Sequence, residues 1–234
     1  MDIKNIKKEF PIFKQKINGK PLVYLDSANS SQKPKVVIDK ISNFYETEFS
    51  NVGRSVHTLA VKATNRFEAT RDKVQKYLNA KHREEIIFTK GATEAINLVA
   101  SSYGKKYINK GDEILITELE HHSNYVPWNF LRTEKGAVIK FAQVNKSGDV
   151  EIEEIKKLIT NKTKMIAITH ISNVTGAVLP ITKIVDLAKE KNIPVLIDGT
   201  QGAPHSKIDM QKIGCDFYAI SCHKMYGPNG LGIL

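Results

Sequence analysis

From residue 85 onward, short apolar segments alternate with stretches in which apolar residues recur at helical spacing. This alternation predicts an α/β fold with a mainly parallel sheet flanked by helices on both faces. The predicted strands cover residues 86–89, 113–117, 138–143, 165–169, 195–198 and 217–221. The predicted helices cover residues 93–107, 123–135, 151–159 and 181–191. No repeat or low-complexity segment interrupts the pattern, so we expect one continuous domain over residues 21–234.

The first part of the chain has a different pattern. Residues 1–20 are predicted to form an N-terminal arm, because an apolar anchor at 10–13 is followed by a turn signal at 18–21. Residues 23–25 are predicted to form a short strand. Pro34 then opens a helix whose apolar residues keep helical spacing: Val37, Ile41, Phe44, Tyr45 and Phe49. A second helix, over residues 57–79, is predicted to place six apolar residues along one face: Ala60, Ala63, Phe67, Val74, Tyr77 and Leu78.

The last four residues, 231–234, form an apolar run that begins another strand and has no polar tail. Natural termini usually lie at the surface. We therefore expect that the large domain is truncated at its C-terminal end and that a further part of the protein is missing.

Composition narrows the class of protein. With 234 residues, 41% hydrophobic and 26% charged, the chain is globular and long enough to bury a real core. No apolar segment approaches the roughly 20 residues that a membrane-spanning helix needs, and the first residues lack the pattern of a signal peptide. We expect a cytoplasmic protein that does not bind membranes.

Charge and cysteine content exclude further classes. The formal net charge is +10, but the lysines are scattered along the chain and no basic patch is interleaved with aromatic residues, so we expect no nucleic-acid partner. The two cysteines, Cys215 and Cys222, are too few for a disulfide framework and lack the spacing of a zinc site. No metal site is predicted.

Polar residues follow the predicted strands where each strand ends. In open α/β sheets, ligands bind outside the carboxyl ends of the strands, so these loops are expected to converge on one rim. They comprise residues 90–94, 118–122, 170–173, 198–201 and 221–224.

Three of these loops carry residues with candidate chemistry. Thr93 follows Gly91 at a strand-to-helix junction, where free backbone N–H groups can bind an anion such as phosphate. The alternative is that Thr89 or Thr93 merely caps the helix. Asp198 follows an apolar run that should bury it, so it needs a cationic or proton-donating partner. Lys224 follows another buried strand and is a candidate for a nucleophilic amine that forms a Schiff base, rather than a solvated surface cation.

Several motifs in order carry a family resemblance. They are KGATEAIN at 90–97, EHHSN at 120–124, THISNVTG at 169–176, DGTQ at 198–201 and SCHKMYGP at 221–228. This set resembles the class V aminotransferase-type pyridoxal phosphate enzymes. With YLDSA at 24–28 and RSVHTL at 54–59, the chain is more narrowly similar to the SUF-type cysteine desulfurases, which include members like selenocysteine lyase.

The resemblance implies an aspartate aminotransferase-like (type I) large domain that binds pyridoxal 5'-phosphate, with the small C-terminal domain missing from this chain. It implies that Lys224 forms a Schiff base with the cofactor and later moves a proton, and that Asp198 pairs with the pyridine nitrogen. It also implies that His121 stacks on the cofactor ring and handles protons, while His122 points elsewhere.

The remaining cofactor contacts are implied in the same way. Gln201 and Asn173 would bind the phenolic oxygen of the ring. Thr93, Ser221 and His223 would hold the phosphate.

The activity that the resemblance implies is cysteine desulfuration for iron–sulfur cluster assembly. L-cysteine, or selenocysteine, would lose its sulfur to a cysteine on a later loop and leave as L-alanine, in a homodimer that serves a sulfur-acceptor protein. Cys215 and Cys222 do not occupy the motif of that acceptor cysteine, so the chain is expected to be inactive alone. Gly53 and Asn29 stand where the family usually has His and a small residue, which leaves the substrate open.

Two alternatives remain. One is another lyase, epimerase or aminotransferase of class V. The other is a non-catalytic fragment that only binds a cofactor or a partner subunit.

Overall fold

The structure is a computed structural model that describes residues 2–234. Its helices are α1 Ile3–Lys8, α2 Lys35–Thr47, α3 Thr58–Leu78, α4 Ala92–Val99, α5 Lys105–Tyr107, α6 Val126–Lys135, α7 Ile152–Leu158, α8 Ile181–Lys189, α9 Gly202–His205 and α10 Met210–Ile213. Its strands are β1 Lys16–Ile17, β2 Lys20–Pro21, β3 Phe88–Thr89, β4 Glu113–Thr117, β5 Val138–Ala142, β6 Thr163–Thr169, β7 Val195–Asp198, β8 Phe217–Ser221 and β9 Gly232–Ile233. A π-helical turn, Ala100–Gly104, joins α4 to α5.

Seven strands form one sheet in the order β3-β9-β8-β7-β6-β4-β5. The pairs from β8 to β5 are parallel, and β9 is antiparallel to both β8 and β3. The predicted α/β class with a mainly parallel sheet is therefore confirmed. The apolar run near the end of the sequence forms a strand, as expected, and that strand is inserted between β3 and β8.

Successive residues of the central strands point to opposite faces of the sheet, and each face carries its own core. On β4, Leu115 packs into one core with Ile155 of α7 and Ile184 of α8. Ile114 packs into the other core, with Ile96 of α4 and Trp128 of α6. Because both faces are covered by helices, the central strands are apolar on both sides, which is why they were predictable as continuous apolar runs.

The N-terminal part departs from the prediction in two places. Residues 23–25 were predicted to form a strand, but they pair with no strand in the described chain, and Val23 and Leu25 are 74% and 92% exposed. The Tyr24 hydroxyl instead donates a hydrogen bond to the Ser30 carbonyl at 2.6 Å. A short hairpin, β1 and β2, lies just before this segment.

The two long N-terminal helices form as predicted, but their apolar faces are not all buried. On α3, Ala60, Ala63 and Leu78 are buried, whereas Tyr77 is 60% exposed. Helix α2 has no buried residue, and Tyr45 remains exposed on it. Helical spacing of apolar residues therefore predicted the two helices correctly. It does not predict whether another part of the protein packs against the apolar face of each helix.

None of the helices in residues 2–234 is long and apolar enough to cross a membrane.

The contact between β9 and the start of α4 leaves no room for a side chain on Gly232. A Cβ atom on Gly232 would lie 2.6 Å from the backbone nitrogen and the carbonyl carbon of Gly91. Because backbone cannot move aside cheaply, we expect Gly232→Ala to lower the free energy of unfolding by about 1–3 kcal/mol. Urea denaturation measures this change.

Gly111→Ala is the matched control. Gly111 has a left-handed φ of +81° and no atom within 4 Å of an added Cβ atom, so only backbone strain, about 1 kcal/mol, is expected there. A Gly232→Ala variant that is as stable as the wild type would contradict the close contact.

Candidate active site

A cavity of about 190 Å³ lies outside the carboxyl ends of the parallel strands. Its wall is formed by residues from five strand ends and from the segment before α2: Asn29, Thr93, His121, Thr169, Ile171, Asn173, Asp198, Thr200, Gln201, Ser221, His223 and Lys224. All eight predicted site residues are in this set. The structure thus brings together residues that lie more than 100 positions apart in the sequence, at the edge where parallel sheets bind ligands.

Lys224 projects from a 3₁₀ turn, Cys222–Lys224, that directly follows β8. Burial lowers the pKa of its amine, while the carboxylates of Asp198 and Asp26 oppose this shift by favouring the charged form. The amine therefore loses its proton more readily than that of a surface lysine, which makes it a better nucleophile.

Asp198 is the last residue of β7 and is only 4% exposed. One carboxylate oxygen accepts a hydrogen bond from the Thr200 N–H at 3.0 Å. Within residues 2–234, no Lys, Arg or His nitrogen lies within 4.0 Å of this carboxylate. A buried carboxylate without a cation at contact distance is costly unless a ligand supplies a proton donor.

Ser221 and α4 form another corner of the cavity. The Ala92 N–H, at the start of α4, donates a hydrogen bond to Ser221 Oγ at 2.8 Å. Neither Thr89 nor Thr93 caps the helix, since Gly91 is the N-cap residue and Thr89 Oγ1 donates to the Gly91 carbonyl instead. The capping alternative is therefore wrong, and the Thr93 side chain remains in the cavity wall.

His223 lies beside this corner. Burial lowers the pKa of its imidazole, and the positive charges of Lys224 and Lys33 lower it further. The ring is therefore biased toward its neutral form in the absence of an anion.

His121 begins the 3₁₀ turn, His122–Asn124, that follows β4. The Ser123 N–H donates to His121 Nδ1 at 3.2 Å, and Ser123 Oγ lies 2.7 Å from the same nitrogen. The neutral ring therefore carries its proton on Nε2. His122 is not among the residues of the cavity wall.

Glu120 precedes His121, and its side chain stabilises the turn that begins at His121 through hydrogen bonds. Its side chain accepts hydrogen bonds from Thr117 Oγ1 at 2.7 Å, from the Thr169 N–H at 2.9 Å and from Asn124 Nδ2 at 2.6 Å. The residue as a whole is partly exposed, but its carboxyl group is enclosed. Burial raises the pKa of this carboxyl to about 8, against the effect of the three hydrogen bonds.

Four wall residues were not predicted as site residues: Asn29, Thr169, Ile171 and Thr200. Among them, Thr200 is the most informative, because its buried Oγ1 has no hydrogen-bond partner. The sequence offered one indication that Thr200 belongs to the site, namely its position between Asp198 and Gln201. Asn29 had a signal as well, since it departs from the small residue that is usual at its place.

The cysteines lie outside the cavity wall. Cys215 is partly buried and Cys222 is buried, and both are free thiols. Burial raises the pKa of Cys215 to about 12 and raises that of Cys222 as well. Neither thiol is activated as a nucleophile. No group of three His, Cys, Asp or Glu side chains in residues 2–234 is arranged to hold a metal ion.

Comparison with known proteins gives a consistent picture. The profile of the aminotransferase class-V family matches residues 23–234. The chain is 49% identical to a probable cysteine desulfurase of Halalkalibacterium halodurans over 234 residues, which are 100% of this chain and 58% of that protein.

Solved structures agree with these matches. A cysteine desulfurase of Thermococcus onnurineus superimposes with a TM-score of 0.91 at 32% identity, covering 99% of this chain and 56% of that one. The cysteine desulfurase CsdA of Escherichia coli superimposes with a TM-score of 0.87 at 35% identity, covering 100% of this chain and 57% of that one. The chain thus spans a little more than half the length of these proteins.

Proposed function

The chain belongs to the aminotransferase class-V family, and we propose that it is the pyridoxal phosphate-binding part of a cysteine desulfurase. The observation that carries the proposal is the convergence of Lys224, Asp198 and His223 on one cavity wall. An amine, a buried acid and a phosphate-binding corner are the three groups that this cofactor needs.

The residues present fit the cofactor. Thr200 Oγ1 is buried without a partner beside the cavity, and the Asp198 carboxylate is buried without a cation at contact distance in the described chain. Both polar groups would be satisfied by a polar, partly cationic ring.

Lys224 and Asp198 would carry the central chemistry. When bound, pyridoxal phosphate supplies an aldehyde that reacts with amines and a ring that accepts electrons from the substrate. Lys224 would hold the cofactor through its amine and later move the proton of the substrate's α-carbon. Asp198 would keep the proton on the pyridine nitrogen, because a buried carboxylate stabilises an adjacent positive charge.

The other wall residues would orient the ring and the phosphate. Thr93, Ser221 and His223 line the corner at the N terminus of α4, where the helix dipole favours an anion. His121 would cover the ring and donate or accept a proton through Nε2. Gln201 and Asn173 would bind the phenolic oxygen.

The proposed reaction uses L-cysteine, since the relatives are named cysteine desulfurases. The carbon–sulfur bond breaks, the sulfur passes to the thiolate of an acceptor cysteine as a persulfide, and the carbon skeleton leaves as L-alanine. We further propose that the complete protein is a cytoplasmic homodimer that delivers sulfur to an acceptor protein for iron–sulfur clusters. Selenocysteine is a second candidate substrate of the same chemistry.

Spectroscopy of the chain with added pyridoxal phosphate tests the proposal. We expect a visible absorbance band that survives gel filtration, and a faster change in that band on addition of L-cysteine than of D-cysteine. A well-folded chain that develops no band would contradict cofactor binding. A band that L-cysteine leaves unchanged would contradict the substrate assignment alone.

A further inference from the structure

The segment Ser30–Lys33, just before α2, packs against the turn that carries Lys224. The two are about 190 positions apart in the sequence, and the contact is made mainly by hydrogen bonds to backbone atoms of the turn. No site residue was predicted in this segment.

The contact centres on the carbonyl oxygen of His223, which belongs to the peptide unit that leads into Lys224. This oxygen accepts hydrogen bonds from the Ser31 N–H at 3.0 Å, from Ser31 Oγ at 2.9 Å and from Lys33 Nζ at 2.8 Å. A carbonyl oxygen has two lone pairs, so three donors within 3.0 Å saturate it. Its peptide plane, and with it the direction of the Lys224 side chain, is held from one side.

The same segment holds the other end of the turn. Ser31 Oγ accepts a hydrogen bond from the Tyr226 N–H at 2.8 Å, so one hydroxyl bridges the residues on both sides of Lys224. Tyr226 has a φ of +64°, a left-handed conformation that costs a residue with a side chain about 1 kcal/mol. A turn with this strain needs external contacts to persist.

The Lys33 ammonium is held within this contact. Its Nζ also donates to the Ser31 carbonyl at 2.6 Å, and within residues 2–234 no carboxylate oxygen lies within 4.0 Å of it. Burial lowers its pKa. Partial burial of an ammonium group costs free energy, so a lysine that only faces solvent would not adopt this position. A lysine that orders a loop is expected to do so, because its charged hydrogen bonds to two backbone carbonyls offset that cost.

Gln201 extends the connection to the second strand end. Its Nε2 donates to the Ala28 carbonyl at 2.6 Å, which ties the loop after Asp198 to the chain that leads into the same segment. Residues 28–33 therefore link the two loops that bear Asp198 and Lys224.

We propose that Ser31 and Lys33 are positioning residues that fix the Lys224 turn, so that the Lys224 amine is aimed into the cavity before any cofactor binds. The role of Lys224 in this statement rests on the proposed function, but the order of the turn does not.

Hydrogen exchange in the cofactor-free chain tests the proposal. We compare Ser31→Ala, Lys33→Met and Lys33→Arg with the control Lys35→Met, whose lysine pairs with Asp39 on the surface of α2. Ser31→Ala and Lys33→Met are expected to speed exchange at the Tyr226 amide about ten- to hundredfold, because the first removes the acceptor of that amide and the second removes a charged donor to the His223 carbonyl. Lys33→Arg keeps the cation and is expected to recover part of the protection.

A second readout separates positioning from general stability. The rate at which an amine-reactive reagent modifies Lys224 is measured against pH in the same variants. Release of the turn exposes the amine, so its apparent pKa should rise toward the ordinary value of 10.5 in Ser31→Ala and Lys33→Met, at unchanged amide protection in β6 and β7.

The outcomes are distinct. Tyr226 exchange and Lys224 reactivity in Ser31→Ala and Lys33→Met equal to those of Lys35→Met would overturn the proposal. If Lys33→Met does not fold, Ser31→Ala alone decides, since it removes the hydroxyl that bridges the turn. Neither readout needs pyridoxal phosphate. A wild-type chain that fails to bind the cofactor would therefore contradict the proposed function without deciding the order of the turn.

Discussion

Lys224→Ala will abolish the visible absorbance band that the wild-type chain develops with pyridoxal phosphate. Lys224 is the only lysine in the described wall of the cavity, and its half-buried amine has a lowered pKa. Lys33 is nearby, but its Nζ is occupied by two backbone carbonyls. After borohydride reduction, mass spectrometry should find the cofactor mass on the Lys224 peptide of the wild type and on no peptide of the variant.

Lys90→Ala is the matched control. Lys90 lies at the same edge of the sheet, after β3, but is exposed and outside the cavity wall. This variant should keep the full band. A Lys224→Ala variant with the wild-type band, fixed by borohydride on another lysine, would show that the cavity is not the cofactor site.

Glu120→Gln will remove a large part of the pH dependence of stability. Between its ordinary pKa of 4.5 and about 8, the folded chain holds a proton on Glu120 that the unfolded chain has released. The free energy of unfolding therefore falls as pH rises through this window and levels off above it. A shift of this size corresponds to roughly 5 kcal/mol at most.

The measurement is urea denaturation from pH 4.5 to pH 9, read as the difference between the wild type and the variant. The difference is needed because His170 and His223, whose pKa values are lowered by burial, add stability as pH rises toward 6.5. Glu118→Gln is the control for the loss of a carboxylate from the same loop, because Glu118 is exposed. Parallel profiles for the wild type and Glu120→Gln would mean that Glu120 stays ionised in the fold.

The sequence was most informative where the sheet is buried on both faces. Strands β7 and β8 match their predicted ranges because uninterrupted apolar residues followed by polar ones are typical of a buried parallel strand that ends at a ligand site. The same rule predicted that Asp198 and Lys224 share an edge. The strand predicted over residues 23–25 was wrong, because three residues that favour strands form a strand only where a partner strand is available.

What could not be predicted depends on contacts between distant parts of the chain. Nothing local in Ser31 or Lys33 indicates a contact with the His223 carbonyl, and the raised pKa of Glu120 depends on the enclosure of its carboxyl between β4 and β6. Thr200 lies within a motif that the sequence shows, but only the structure shows that its hydroxyl lacks a partner. The motifs thus predicted which residues line the cavity. The contacts that hold those residues in place depend on packing between distant segments and could not be predicted.

The order of the strands has a consequence for folding. Strand β3 lies beside β9 and not beside any strand close to it in sequence, and the Ala92 N–H finds its acceptor 129 positions later, at Ser221. Closing so long a loop costs chain entropy before any contact repays it. During synthesis, strands β4 to β7 can pair one after another as they emerge. The N-terminal end of α4, next to Thr93, has no hydrogen-bond acceptor for the Ala92 N–H until Ser221 has been made. The corner formed by Thr93 and Ser221 can therefore close only after β8 has been made, and until then it is open to competing contacts in a partly folded chain.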